Sequence, residues 1–283
     1  MRIRAVNRWD WHYESPVSFS PHIFRLFPKA GRFVSVLYSD FKTNEEADVQ
    51  YRRDLFDNEI ASCFYPEKVA ALKTTLVVEM EVREYNPFHF LLESHALDFP
   101  FQYKPREAEL LAPFLKTQSP SATAALPFWK PEKKPVIPAL VELNQSIRAN
   151  LAYERRDEGA ARDPAQTLSL GAGSCRDFSW VLADTLRANG VAARLASGYL
   201  CEFGAGEKRA EGALHAWVEA YLPGAGWLGL DPTNGVLTNH NHITAATGLL
   251  PVDIAPQQGN YFYDETPIPY TVEASLEMTQ CGD

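Results

Sequence analysis

The chain has 283 residues, with 27 Lys+Arg against 36 Asp+Glu for a net charge of −9, and it is 46% hydrophobic and 22% charged. This is a soluble globular composition, too apolar for disorder and too charged for a membrane protein; a chain of this size hides roughly three quarters of its unfolded surface, enough for two cores. The acidic balance carries no basic stripe, which argues against nucleic acid or an anionic membrane surface as a partner.

The chain opens MRIRAVNRWDWHYESPV, charged and aromatic from the second residue, without the apolar run of a signal peptide. A cytoplasmic location is therefore expected. The longest stretch without a charged side chain, Pro232 to Val252, is rich in Asn, His and Thr and unsuited to a bilayer.

From Ile3 to Tyr13 the odd positions are Ile3, Ala5, Asn7, Trp9, Trp11 and Tyr13, and the even ones are mostly Arg4, Arg8, Asp10 and His12. Period two predicts a strand with one buried face. The same alternation returns at Leu72, Leu76, Val78, Met80 and Val82, and extended candidates at 22–27, 32–42, 48–54 and 59–65 are separated by turn formers such as Pro28–Gly31 and Asp57–Asn58. A run of strands without helices predicts an antiparallel β-sandwich domain over residues 1–85.

Between 86 and 137, prolines interrupt any long element, while Phe88, Phe90, Phe99, Phe101, Phe114, Phe128 and Trp129 are too apolar for a free linker. This stretch is expected to be a packed connector. The pattern then turns helical, with Leu140, Val141, Leu143, Ile147 and Leu151 on one face, and a second helix is predicted from Cys175 to Asn189, closed by Gly190. Strands are predicted at 192–202, 214–221 and 226–231, so 138–283 reads as a second, α+β domain.

Four cysteines, Cys63, Cys175, Cys201 and Cys281, form no C-x-x-C pair, so neither a disulfide framework nor a metal knuckle is expected. Cys175 stands out in GAGSCRDFSW: Ser174 and Asp177 form an S-x-x-D capping box that sets Cys175 at the first helical position. Free backbone N–H groups and the helix dipole there favour a thiolate. Gly171 and Gly173 would let a substrate carbonyl approach the backbone. The other three cysteines have no such context and read as packing or tail thiols.

A nucleophilic Cys needs a base, which LHAWVEAYLPGAGWLGLDPTNG supplies in His215 and Asp231. In a hairpin where 216, 218 and 220 oppose 230, 228 and 226, one face is Ala216, Val218, Ala220, Leu228 and Leu230. His215 and Asp231 then fall together on the other, as cross-strand neighbours. That placement demands an odd loop or a bulge, because a one-residue slip would part them.

GSCRD, HAW and DPTNG, in that order, resemble the transglutaminase-like superfamily, most closely its bacterial members, often labelled cysteine proteases. ESPVSFSPHIFRLFP and YRRDLFDNEIASCF resemble the β-rich N-terminal domain of those proteins. The resemblance implies a papain-like core with Cys175 as nucleophile, His215 as base and Asp231 orienting it, and structural roles for Arg194, Gly198 and Tyr199. It implies thiol-dependent acyl transfer from a Gln side chain or peptide amide of a protein or peptide substrate through a thioester, resolved by an amine or by water, with no cofactor. The alternatives are a peptidase or amidase acting only by hydrolysis, an inactive binding or scaffolding module, and zinc held by Cys175, Cys201 and His215.

Tyr153 reads as a packing residue rather than a second oxyanion donor. His240 and His242 have the spacing of two ligands on one strand face, but no third ligand accompanies them, so a metal site is not expected. No phosphate loop, dinucleotide fingerprint or pair of glycosidase carboxylates is present.

Overall fold

A computed structural model describes the chain apart from residues 124–125, 157–158, 202, 204–208, 212, 264–265 and 282–283. Its first element is an 18-residue strand, Arg2–Phe19, long enough to form the spine of a sheet. It pairs antiparallel with Val69–Val82, Ile3 opposite Met80 and Trp11 opposite Leu72. The period-two residues do what their spacing requires: Ile3, Ala5, Leu72, Leu76, Val78 and Met80 are all buried. A second sheet, in the order Gln257–Gln258, His22–Phe24, Glu59–Phe64, Asp48–Arg53, contributes Phe24, Ala61 and Cys63 to the same core. Two antiparallel sheets around one core make the N-terminal region β-rich, as its alternation requires.

The other flank of Arg2–Phe19 is occupied by Tyr270–Cys281, with Arg2 opposite Cys281 and Tyr13 opposite Tyr270. The expectation of a catalytic unit running unbroken to the C-terminal end does not hold for this strand. Val272, Leu276 and Met278 alternate with Glu273, Glu277 and Thr279, a strand pattern in its own right, and the open edge of the first sheet is what recruits it.

The sheet of the C-terminal region is ordered Val236–Leu237, Gly226–Asp231, Ala213–Leu222, Ala193–Leu200, His242–Gly248. Ala216, Val218, Ala220, Leu228 and Leu230 form its apolar face and bury Phe178, Val181, Leu182 and Leu186 of the helix Cys175–Ala188. Leu140, Leu143 and Ile147 of the helix Val136–Asn150 join the same cluster. So do Phe99, Phe101 and Trp129 from the proline-rich stretch, whose described regular pieces are short, such as Pro105–Leu111. Tyr199, Cys201, Ile243 and Ala245 instead pack into the N-terminal core, and the Tyr199 hydroxyl donates to the Leu26 carbonyl at 2.7 Å. This sheet thus sits between two cores. Among the described residues no helix is long and apolar enough to cross a membrane.

One buried carboxylate ties the proline-rich stretch down. Asp184, wholly buried on the helix Cys175–Ala188, accepts the backbone N–H groups of Gln118 (2.7 Å) and Ser119 (2.8 Å) and the Thr123 hydroxyl (3.1 Å). Asp184→Ala leaves the Gln118 and Ser119 backbone N–H groups without that acceptor, while the Thr123 hydroxyl keeps the Ser119 carbonyl at 3.0 Å, and we expect it to cost about 2 kcal/mol. Limited proteolysis should then cut near residues 116–123 in the variant and spare the wild type; equal resistance would assign the ordering of this segment to its aromatics alone.

Candidate active site

The helix carrying Cys175 begins where its sequence says it should. Ser174 is extended (φ −89°, ψ 177°) and precedes the first helical residue, Cys175. Its cap is anchored more heavily than a capping box requires. The wholly buried Asp177 accepts from the Ser174 backbone N–H (2.7 Å) and hydroxyl (3.0 Å), and from the Arg162 backbone N–H (2.7 Å). Arg156 Nη2 bridges both of its carboxylate oxygens at 2.8 and 2.9 Å. Arg176 in turn donates to the carbonyls of Gly159 (2.8 Å) and Arg156 (2.9 Å), so the stretch before the helix is bound back onto its first turn.

The two glycines ahead of Cys175 have local reasons to be glycine. Gly171 closes the helix Pro164–Leu170 in the left-handed region (φ 64°), and a Cβ on Gly173 would stand 2.8 Å from Asp177 Cβ. That helix itself was not anticipated, although Asp163 as cap (Gln166 N–H to Oδ1, 3.0 Å), Pro164 at the first position and Gly171 at the end are its ordinary punctuation.

The hairpin turns through Pro223, Gly224 and Ala225, an odd loop, with Leu222 opposite Gly226. Gly224 has φ 90° and lies so close to the Leu91 carbonyl that a side chain would collide with it. Val218 therefore opposes Leu230, two residues from the expected register. A two-residue shift preserves the face of every side chain, so His215 and Asp231 still share one, as diagonal rather than direct neighbours. His215 Nε2 lies 2.9 Å from Asp231 Oδ2.

With Nε2 taken by Asp231, Nδ1 is the ring nitrogen left for the thiol of Cys175, which is within hydrogen-bond reach of the His215 side chain. Burial alone would push His215 below its ordinary pKa, but the bonds to Asp231 and Cys175 raise it well above. Burial would likewise push Asp231 up; hydrogen bonds from His215, His242 and Asn234 hold it far below the usual carboxylate range. Asn234 Nδ2 donates to Oδ2 at 2.8 Å, and the backbone N–H groups of Thr233 (2.9 Å) and Asn234 (3.2 Å) donate to Oδ1, the self-capping turn that DPTNG encodes.

His242 is the member of this cluster that sequence reasoning placed elsewhere. Its Nε2 lies 3.1 Å from Asp231 Oδ2. His240 stands in the turn before the strand His242–Gly248, so the two histidines do not share a strand face. Among the described residues no group of three His, Cys, Asp or Glu side chains is arranged to hold a metal ion, and Cys201 contacts Met278 (Sγ–Sδ 3.2 Å) in the N-terminal core rather than joining Cys175 and His215. Tyr153 lies edge-on to Phe178, ring centroids 6.3 Å apart. Arg194 pairs with Glu219 (Nε–Oε2 2.7 Å) and stacks on Trp227 at 4.3 Å. Gly198 sits opposite both His215 and Thr244, at a bulge where the Ile243 carbonyl leaves no room for a Cβ.

A helix-borne thiol facing a strand-borne imidazole and carboxylate is the arrangement of the papain-like α+β fold. Residues 123–232 match the transglutaminase-like superfamily core and residues 6–82 the bacterial transglutaminase-like N-terminal region. The chain thus carries a transglutaminase-like core preceded by a bacterial transglutaminase-like N-terminal region. An uncharacterized protein of Mycobacterium leprae is 27% identical over 92% of this chain and 93% of its own length. One from Mycobacterium tuberculosis is 33% identical over 45% of this chain and 43% of its own. The crystal structure of a "putative cysteine protease" from Cytophaga hutchinsonii superposes with a TM-score of 0.69 over 99% of this chain and 97% of that one, at 16% identity, a likeness of fold.

Proposed function

We propose that the protein is a thiol-dependent acyl transferase acting on carboxamides, with Cys175 as nucleophile, His215 as proton carrier and Asp231 as the group that orients His215. The observation that carries this reading is a thiol at a helix N-terminus beside an imidazole whose Nε2 is bonded to a buried carboxylate. The thiolate adds to the carbonyl carbon of a Gln side chain or peptide amide, and the backbone N–H of Cys175 steadies the oxyanion. As the C–N bond breaks, His215 delivers its proton to the departing nitrogen and a thioester remains on Cys175. An amine or water then attacks the thioester, giving its proton back to His215; an amine yields transamidation and water yields hydrolysis.

The test is to incubate the protein with a Gln-containing protein and a labelled primary amine. Acylation of Cys175 is followed by intact mass, and ammonia release and amine incorporation are measured in parallel. Acylation and turnover lost together in Cys175→Ala support the reading, and the ratio of amine incorporated to ammonia released assigns the acceptor. Turnover that survives the substitution overturns it.

A substrate-free prediction accompanies it. Iodoacetamide should modify Cys175 before Cys63 and Cys201, because Cys175 is only partly buried at a helix N-terminus beside His215. Burial pushes the thiols of Cys63 and Cys201 up to about 11 and about 12. Equal rates at Cys63 or Cys201 across pH 6–9 would count against a specially reactive Cys175.

A further inference from the structure

The carboxylate of Asp231 serves two imidazoles. Oδ2 receives His215 Nε2 at 2.9 Å and His242 Nε2 at 3.1 Å, besides Asn234 Nδ2 at 2.8 Å. The tautomer of His242 is set by its other nitrogen: the Asn239 backbone N–H donates to Nδ1 at 3.4 Å, so Nε2 carries the hydrogen and donates to Asp231. Both rings are held in place by the fully buried Trp217, 6.4 Å from His215 and 5.5 Å from His242 between ring centroids. The strands of His215 and His242 flank Ala193–Leu200, where Gly198 opposes His215 on one side and Thr244 on the other.

We propose that His242 is a positioning residue of this site, sharing the Asp231 carboxylate with His215 and thereby limiting how firmly Asp231 holds a proton on the His215 ring. The inference rests on the roles assigned to Cys175, His215 and Asp231 above. A buried carboxylate with His215 as its sole imidazole would grip that proton hard, and a base that never yields its proton cannot release a leaving group. A second N–H on the same oxygen disperses the charge that His215 feels. Asp231 stays ionised without this donor, since two backbone N–H groups and Asn234 remain. Removing His242 therefore strengthens the hold on His215 rather than neutralising Asp231.

His215 faces the Cys175 thiol, Asp231 and His242. His242 also lines a cavity of about 250 Å³ with Lys29, Arg32, Arg194, Glu219 and His240. Arg194 and Glu219 neutralise each other at 2.6 Å, and Lys29 Nζ donates to the Phe56 carbonyl and the Thr247 hydroxyl at 3.0 and 3.1 Å.

The experiment is the rate of Cys175 alkylation against pH in the full chain, whose upper inflection reports loss of the proton shared with His215. His242→Phe keeps the ring against Trp217 but removes the donor, and should move the inflection up by about one pH unit. His242→Gln, whose side-chain amide restores a donor, should return it toward the wild-type value. An inflection unmoved by His242→Phe, or moved equally by both variants, overturns the proposal. His215→Ala separates this from the parent reading: a wild-type profile in that variant means His215 does not serve Cys175, and both ideas fall. Should His242→Phe not fold, the ¹⁵N spectrum of the wild-type imidazoles decides, because a His242 ring found as the Nδ1–H tautomer or doubly protonated at pH 8 overturns the proposal by itself.

Discussion

Asp231→Asn should lower turnover on a responsive amide by roughly ten-thousandfold, the scale on which a triad loses rate when its carboxylate becomes an amide. Asn can no longer stabilise the His215 imidazolium, and its NH₂ would meet the donors of His215, His242 and Asn234 that converge on Oδ2. The same crowding means the substitution reaches beyond rate. With five donors directed at this one carboxylate, losing an acceptor should also cost about 2 kcal/mol of stability. The two effects separate experimentally: circular dichroism and a denaturant midpoint give the second, kcat measured well below that midpoint gives the first. A wild-type kcat in a folded variant would make Asp231 a structural residue and remove it from the mechanism.

Acid should act on the same group with a definite sign. Asp231 titrates far below the ordinary carboxylate range in the native protein and near 3.9 once unfolded, so its contribution to stability is present above about pH 4 and drains away below it. The Asn variant should lose less stability than the wild type between pH 5 and pH 3.

The largest loss of stability is expected at Asp177. Asp177→Ala strips the cap from the Cys175 helix and leaves Arg156, whose side chain is only 21% exposed, facing no carboxylate, a change that costs about 3–5 kcal/mol when one partner of a buried pair is removed. Unlike Asp231, Asp177 touches neither His215 nor the reacting atoms, so its effect should appear first in the denaturant midpoint and in faster proteolysis around residues 155–163. Alkylation of Cys175 should slow only in proportion to loosening of the helix start. A midpoint within 1 kcal/mol of wild type would show that the Arg156 anchor is dispensable.

Much of this molecule was legible in one dimension because its signals are local. Alternation of Ile3, Ala5 and Asn7 with charged neighbours predicts a strand whatever its partner, and S-x-x-D before Phe178, Val181 and Leu182 predicts a helix beginning at Cys175. The side-chain period of two also makes the shared face of His215 and Asp231 readable from parity alone. A register error of two residues left that conclusion untouched, where an error of one would have reversed it. The helix Pro164–Leu170 and the strand Tyr270–Cys281 carried equally local signals, in the caps of the one and the alternation of the other.

What no local pattern contains is which distant segments meet. The sequence by itself determined the capped Cys175, the face shared by His215 and Asp231, and the strands of the N-terminal region. Only the tertiary structure decided that Tyr270–Cys281 completes the first sheet, that Arg156 from outside the helix seats Asp177, and that His242 lies against the Asp231 carboxylate. Each of these is a pairing between segments separated along the chain, chosen by which buried donor, acceptor or sheet edge would otherwise go unsatisfied, and that choice exists only once the chain has folded.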